Sequence, residues 1–142
     1  MRSSEGVSKA LFDWATGFAS SGAPLRLNAP LERSGDRCLV TGAATTTADY
    51  IDGRRERRMD FSLVLMAPWS EGADGLNAAA LEEGERWLDW VEAQWPDNLP
   101  DLGEGREVTQ LTTYDGAPLL VQVMPDAVTA KYQFMAHLDY RS

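Results

Sequence analysis

The chain of 142 residues carries one cysteine, Cys38, and one histidine, His137. A single thiol excludes an internal disulfide and a thiolate metal cage, and a single imidazole removes the common zinc ligand sets. No HExxH, CxxC, calcium-loop, phosphate-loop or Gly-x-Ser-x-Gly pattern occurs, and Gly103-Glu104-Gly105 is a lone short match with no helix expected after it. Neither a metal nor a cofactor is therefore expected. Long apolar runs are also missing: none approaches the ~18 residues that span a bilayer, and the N-terminus lacks the charged-then-apolar pattern of a signal segment. The sequence predicts a protein without membrane attachment, in a reducing cytoplasm. Positive charge is scarce, with 13 Lys and Arg against 22 Asp and Glu and a formal net charge of -9. The summed field repels a polyanion and disfavours general nucleic-acid binding.

What remains is a soluble globular composition, 44% hydrophobic and 25% charged, of a length that fits one domain. Val7, Leu11, Trp14, Ala15 and Phe18 recur at helical spacing behind a possible Ser4 cap and predict a helix over 4–19. A β-branched and aromatic stretch from Cys38 to Ile51, with Gly42 as a bulge, leads through an Asp52-Gly53 turn into a second strand, giving a hairpin over 38–67. In that second strand Met59, Phe61, Leu63 and Leu65 alternate onto one face, and Pro68 ends it. Ser70 to Gly75 reads as a polar loop. Asn77 is placed to cap a helix over 77–95 whose apolar stripe is Ala80, Leu81, Gly84, Trp87, Leu88, Val91 and Trp95. Strands over 107–140 close the chain, with Asp115-Gly116 and Pro125-Asp126 as turns and Tyr132, Phe134, Ala136, Leu138 and Tyr140 pointing inward. The expected fold is α+β, a mostly antiparallel sheet of about five strands with two amphipathic helices on one face.

Chemistry-bearing residues are few. His137 and Asp139 share a strand face, and a carboxylate beside an imidazole can orient it for acid/base work in a pocket between helix and sheet. A spacing of two in a strand is weak evidence without a nucleophile. Pairs such as Asp101 with Glu104 and Asp49 with Asp52 arise freely in an acidic chain and read as turn-making residues. The one local anomaly is Arg54-Arg55-Glu56-Arg57-Arg58, a basic cluster in an acidic molecule. Such a cluster reads as a contact for an acidic neighbouring surface or for passing DNA, or as a charged strand end that keeps an edge from mispairing. Protein contact is favoured because a basic patch complements a second copy of an acidic molecule, and the carboxylates Glu82, Glu85 and Asp89 on the polar side of the second helix are the expected counterpart. Trp90 lies off the apolar stripe of that helix, so it is either an exposed contact residue or lies under a loop.

Tyr50-Ile51-Asp52-Gly53, the Arg-rich strand start with Phe61, the helix with Trp87-Leu88-Asp89-Trp90, the segment Asn98-Leu99-Pro100-Asp101-Leu102-Gly103-Glu104-Gly105-Arg106, and the closing Ala130-Lys131-Tyr132-Gln133-Phe134 together resemble a family of phage proteins, the minor capsid or tail terminator proteins of siphophages. The resemblance covers about residues 45–141. It implies a small α+β subunit of the virion, made in the host cytoplasm, that assembles into a ring, typically hexameric, on the end of the tail tube. The ring stops tube growth, offers a surface to the head connector and lets DNA pass without specific binding. The family has no catalytic residues. Another neck component shares this setting, and a small enzyme using His137 is the reading from a different class.

Overall fold

The computed structural model describes residues 6–18, 25–31, 35–69, 74–113, 119–125 and 128–142. Its elements in chain order are α1 (Val7–Ala15), β1 (Leu25–Leu27), β2 (Arg37–Thr41), β3 (Thr45–Asp49), β4 (Arg55–Pro68), α2 (Asp74–Ala93), β5 (Glu107–Thr113), β6 (Leu119–Val123) and β7 (Thr129–Arg141). The class is the expected α+β, with seven strands rather than about five.

The sheet is organised around its two longest strands. β4 and β7 pair antiparallel from Glu56↔Arg141 to Pro68↔Thr129. β2 and β3 follow one another along the free side of β4, while β5 and β6 do the same along β7. β1 adds a parallel edge to β2. The strict alternation in β4 and β7 becomes a register in which Met59 faces Leu138, Phe61 faces Ala136, Leu63 faces Phe134 and Leu65 faces Tyr132. All eight are buried, as is Tyr140. Period-two patterning has placed one apolar set on one sheet face, and both helices cover that face.

Helix α2 lies over β4, β5 and β7, with Trp87 edge-on to Phe61 at 5.8 Å between ring centroids. Helix α1 packs beside it, where Trp14 meets Phe61 edge-on at 6.1 Å. Val7, Leu11 and Ala15 are buried. A hydroxyl pair, Thr41 Oγ1 to Ser8 Oγ at 3.0 Å, ties α1 to β2, and Trp14 Nε1 donates to the Asn98 carbonyl at 2.8 Å.

Several expected boundaries move. The first helix is shorter than 4–19: it starts after Gly6, whose φ of 81° is left-handed, and Ser4 lies outside the described residues. At its other end Gly17 and Phe18 bond three residues back, to Trp14 and Ala15, which tightens the chain out of the α-helix. The stretch from Cys38 to Ile51 is two strands, because the chain leaves the ladder after Gly42 bonds the Asp60 carbonyl and rejoins β4 at Thr45. The second helix occupies Asp74–Ala93, so Asp74 and Gly75 are helical and Asn77 lies inside the helix rather than at its cap. Trp95 falls outside this helix and is 41% exposed, since Pro96 cannot follow a helical residue comfortably and the chain turns at Gln94. The Asp115-Gly116 turn lies outside the described residues, as does Asp126.

Candidate subunit-contact surfaces

The hairpin between β3 and β4 is a three-residue loop, Ile51 to Gly53, closed by Tyr50 N–H to Arg54 C=O at 2.9 Å and Gly53 N–H to Tyr50 C=O at 3.0 Å. Gly53 has φ 91°, the left-handed residue that such a loop requires before the strand resumes. Asp52 braces it from within: Oδ1 accepts from Arg54 N–H at 3.1 Å and Oδ2 from Arg54 Nε at 2.7 Å. The Arg54 backbone bond and guanidinium hold the Asp52 carboxyl below its ordinary pKa. Tyr50 braces the other side. Its hydroxyl donates to Glu56 at 2.8 Å, and the guanidinium carbons of Arg54 and Arg141 stand 5.8 and 5.6 Å from its ring centre. Ile51, at the tip, is fully exposed.

The arginine cluster does not form a bare positive patch. Arg54 pairs with Asp52, Arg55 with Asp49 at 3.1 Å, and Arg58 grips Asp139 through Nε at 2.8 Å and Nη2 at 3.3 Å. Arg57 lies on the helix-facing side of β4, opposite Tyr140, whose hydroxyl is raised in pKa by burial against the opposing charges of Arg57 and Arg106. The carboxylates come from β3, the loop and β7, and Asp139 stands 81 positions from its partner. Glu82, Glu85 and Asp89 do lie on the exposed side of α2, with Arg86 and Glu92 among them.

Trp90 finds partners inside the chain. Its ring lies 4.8 Å from Trp14 and 5.9 Å from Phe18, so α1 and the turn after it supply the cover.

His137 and Asp139 lie on the sheet face opposite the helices, across from Asp60 and Arg58 of β4. Among the described residues no helix covers them there. His137 Nδ1 is 3.6 Å from Asp139 Oδ1, beyond hydrogen-bond range, and that carboxylate is held bidentately by Arg58. The space between helix and sheet, where a pocket around His137 was expected, holds Phe61, Trp87 and Phe134 instead. Among the described residues, no group of three or more His, Cys, Asp or Glu is arranged to hold a metal ion, and no helix is long and apolar enough to cross a membrane.

The described residues form two surface hollows beside these elements. One of about 320 Å³ is lined by Arg54 from the hairpin and by Gly105, Arg106, Glu107, Arg141 and Ser142. The other, of about 580 Å³, lies between α1 and the Leu99–Gly103 loop. That loop is pinned by Leu102, which is 4% exposed, and by an Asp101 Oδ1 bond from Gly103 N–H at 3.0 Å. Sequence reasoning missed the fully exposed Ile51 and the part played by Arg106 and Arg141; a hydrophobic residue in the middle of a turn was the available signal for the first. The chain matches no protein-family model, and no curated protein matches it significantly.

Proposed function

We propose that this protein is a structural virion subunit, a tail terminator whose ring caps the tail tube of a phage and presents a surface to the head connector. The observation that carries the reading is where the segments of the resemblance lie. Leu99–Arg106, its most specific part, forms a pinned loop and Tyr50–Gly53 a braced hairpin tip, and Gly105 and Arg106 of the loop line one surface hollow together with Arg54, the residue that follows the tip. Segments that shape protruding and recessed surface are what a subunit needs in order to fit neighbouring copies. A closed ring requires two different patches on each subunit, one for each neighbour. The net charge of -9 suits a channel through which DNA slides without sticking. Work by a catalytic imidazole finds less support, because Asp139 is engaged by Arg58 rather than by His137.

The test is electron microscopy of the protein mixed with polymerising tail-tube subunits. Tubes of defined length bearing a ring at one end support the terminator; uncapped tubes of unrestricted length overturn it and favour another neck component. Turnover of a small molecule that disappears in His137→Ala would instead support the enzyme.

A further inference from the structure

Ile51 is 109% exposed, at the tip of a hairpin held rigid by the bonds of Asp52, Tyr50 and Gly53. Nothing local asks for an aliphatic residue there. The turn is made by Asp52 and Gly53, and the second position of such a turn accepts polar residues or proline readily. A preorganised tip loses little entropy on docking, so an exposed isoleucine fixed in this way is built as an anchor. The same chain carries a recess of matching chemistry. Ala10, Trp14, Leu99 and Pro100 give the 580 Å³ hollow an apolar lining, and two carboxylates stand at it, Asp101 and Asp13, the latter paired at 2.9 Å with Lys9, which also lines the hollow. Asp13 is 59% exposed at its side chain, and Asp101 is exposed. On the tip, the flanking Arg54 and Arg55 side chains are each 56% exposed even though each binds one carboxylate locally.

We infer that the hairpin tip of one copy seats Ile51 in the hollow between α1 and the Leu99–Gly103 loop of the next copy, with Arg54 and Arg55 meeting Asp13 and Asp101 around it. This rests on the self-assembling reading above and replaces a contact between the arginine cluster and the α2 carboxylates by a knob in a hole. The occupant is a second copy, because an aliphatic knob between two guanidinium groups answers an apolar floor beside two carboxylates. Among the described residues the tip stays in solvent. A knob and a hole at different places on the subunit make a contact that propagates from copy to copy and closes when the rotation divides the circle.

Disulfide trapping tests the pairing, since native Cys38 is 1% exposed and stays out of reach. Ile51→Cys and Lys9→Cys, both at exposed positions, are made as separate proteins and mixed at high concentration under mild oxidation. The expected result is a disulfide-linked heterodimer at a yield about ten-fold above that of Ile51→Cys mixed with Glu85→Cys, reflecting the effective concentration of a docked pair. The double variant in one chain should give linked species of several copies. Equal yields from the two mixtures, or no cross-link in either, overturn the inference. Ile51→Asp in the otherwise native chain should lower the oligomer fraction in native mass spectrometry; an unchanged distribution counts against it. Cross-linking without capped tubes leaves the knob and hole standing and removes the terminator, while capped tubes without cross-linking do the reverse.

Discussion

Gly84 of α2 rests directly on the ring of Phe134 in β7: a Cβ at Gly84 would stand 1.8 Å from Cε1 and 2.1 Å from Cδ1 and Cζ. In an exposed helix, alanine at a glycine position gains about 1 kcal/mol. Here the sign reverses, because Phe134 is 1% exposed and has no room to retreat. Gly84→Ala is expected to destabilise the fold by about 1–3 kcal/mol, the usual range for overpacking, read as a lower urea midpoint at unchanged slope. Adding Phe134→Leu should return part of the loss. A more stable Gly84→Ala protein would show that α2 does not sit this close.

Arg37 of β2 and Glu83 of α2 form a nearly dry ion pair, with side chains 5% and 13% exposed. The guanidinium is bound by both carboxylate oxygens, the second at 3.3 Å from Nη2. Removing one partner strands the other, so Glu83→Ala should cost about 3–5 kcal/mol. Replacing both, Arg37→Met with Glu83→Leu, should cost much less, since the desolvation of two charges is relieved together. Chemical denaturation of the two single variants and the double variant gives the coupling; additive losses would contradict it.

Glu56 accepts hydrogen bonds from Thr109 Oγ1 at 2.7 Å and Tyr50 Oη at 2.8 Å, which hold its carboxyl below the ordinary glutamate value against the opposing effect of burial. A carboxylate that binds its proton less tightly when folded adds stability above its unfolded pKa of about 4.3 and loses it as the pH falls through the lower folded value. Glu56→Gln should therefore be less stable than the native chain at pH 7, with the difference shrinking in acid. A difference that stays constant from neutral pH to about pH 2, below the ordinary carboxylate range, would exclude Glu56 as the titrating group.

The ring cluster of Trp14, Phe18 and Trp90 joins α1 to α2. Helix α1 has nine residues, too few to hold alone in water. Trp90→Ala should raise hydrogen exchange across Val7–Ala15 by more than ten-fold, equivalent to at least about 1.4 kcal/mol of local stability, while β4 and β7 stay protected. Loss of protection in both regions at once would mean that α1 and the sheet open as one unit.

The central strands and the core stripe of α2 were legible because each buries one face continuously over many residues, and such a pattern survives any error in topology. Asp52 and Gly53 announced their turn by the conformations they allow. What was hidden depended on residues far apart in sequence: Asp139 neutralising Arg58, or Trp14 covering Trp90. Trp95 misled because it matches the helical period while Pro96 ends the helix before it. The strand break after Gly42 and the parallel β1 depend on where β4 offers edges, which local pattern does not record. The candidate contact surface was visible only as an arginine cluster, whose partners changed its meaning, and Ile51 was masked by its membership of a run that read as a strand.

Strand β7 supplies the partner for β4, β5 and β6 alike. Until residues 129–141 have emerged from the ribosome, β5 and β6 have nothing to pair with, and β4 shows a bare edge along its whole length. Most of the layer must therefore condense in a late step, joining segments distant along the polypeptide and proceeding slowly for that reason. Synthesis halted before that segment leaves β1 to β4 to pair among themselves with one long edge bare, and β5 and β6 without their partner strand, so a truncated product lacks half of the layer.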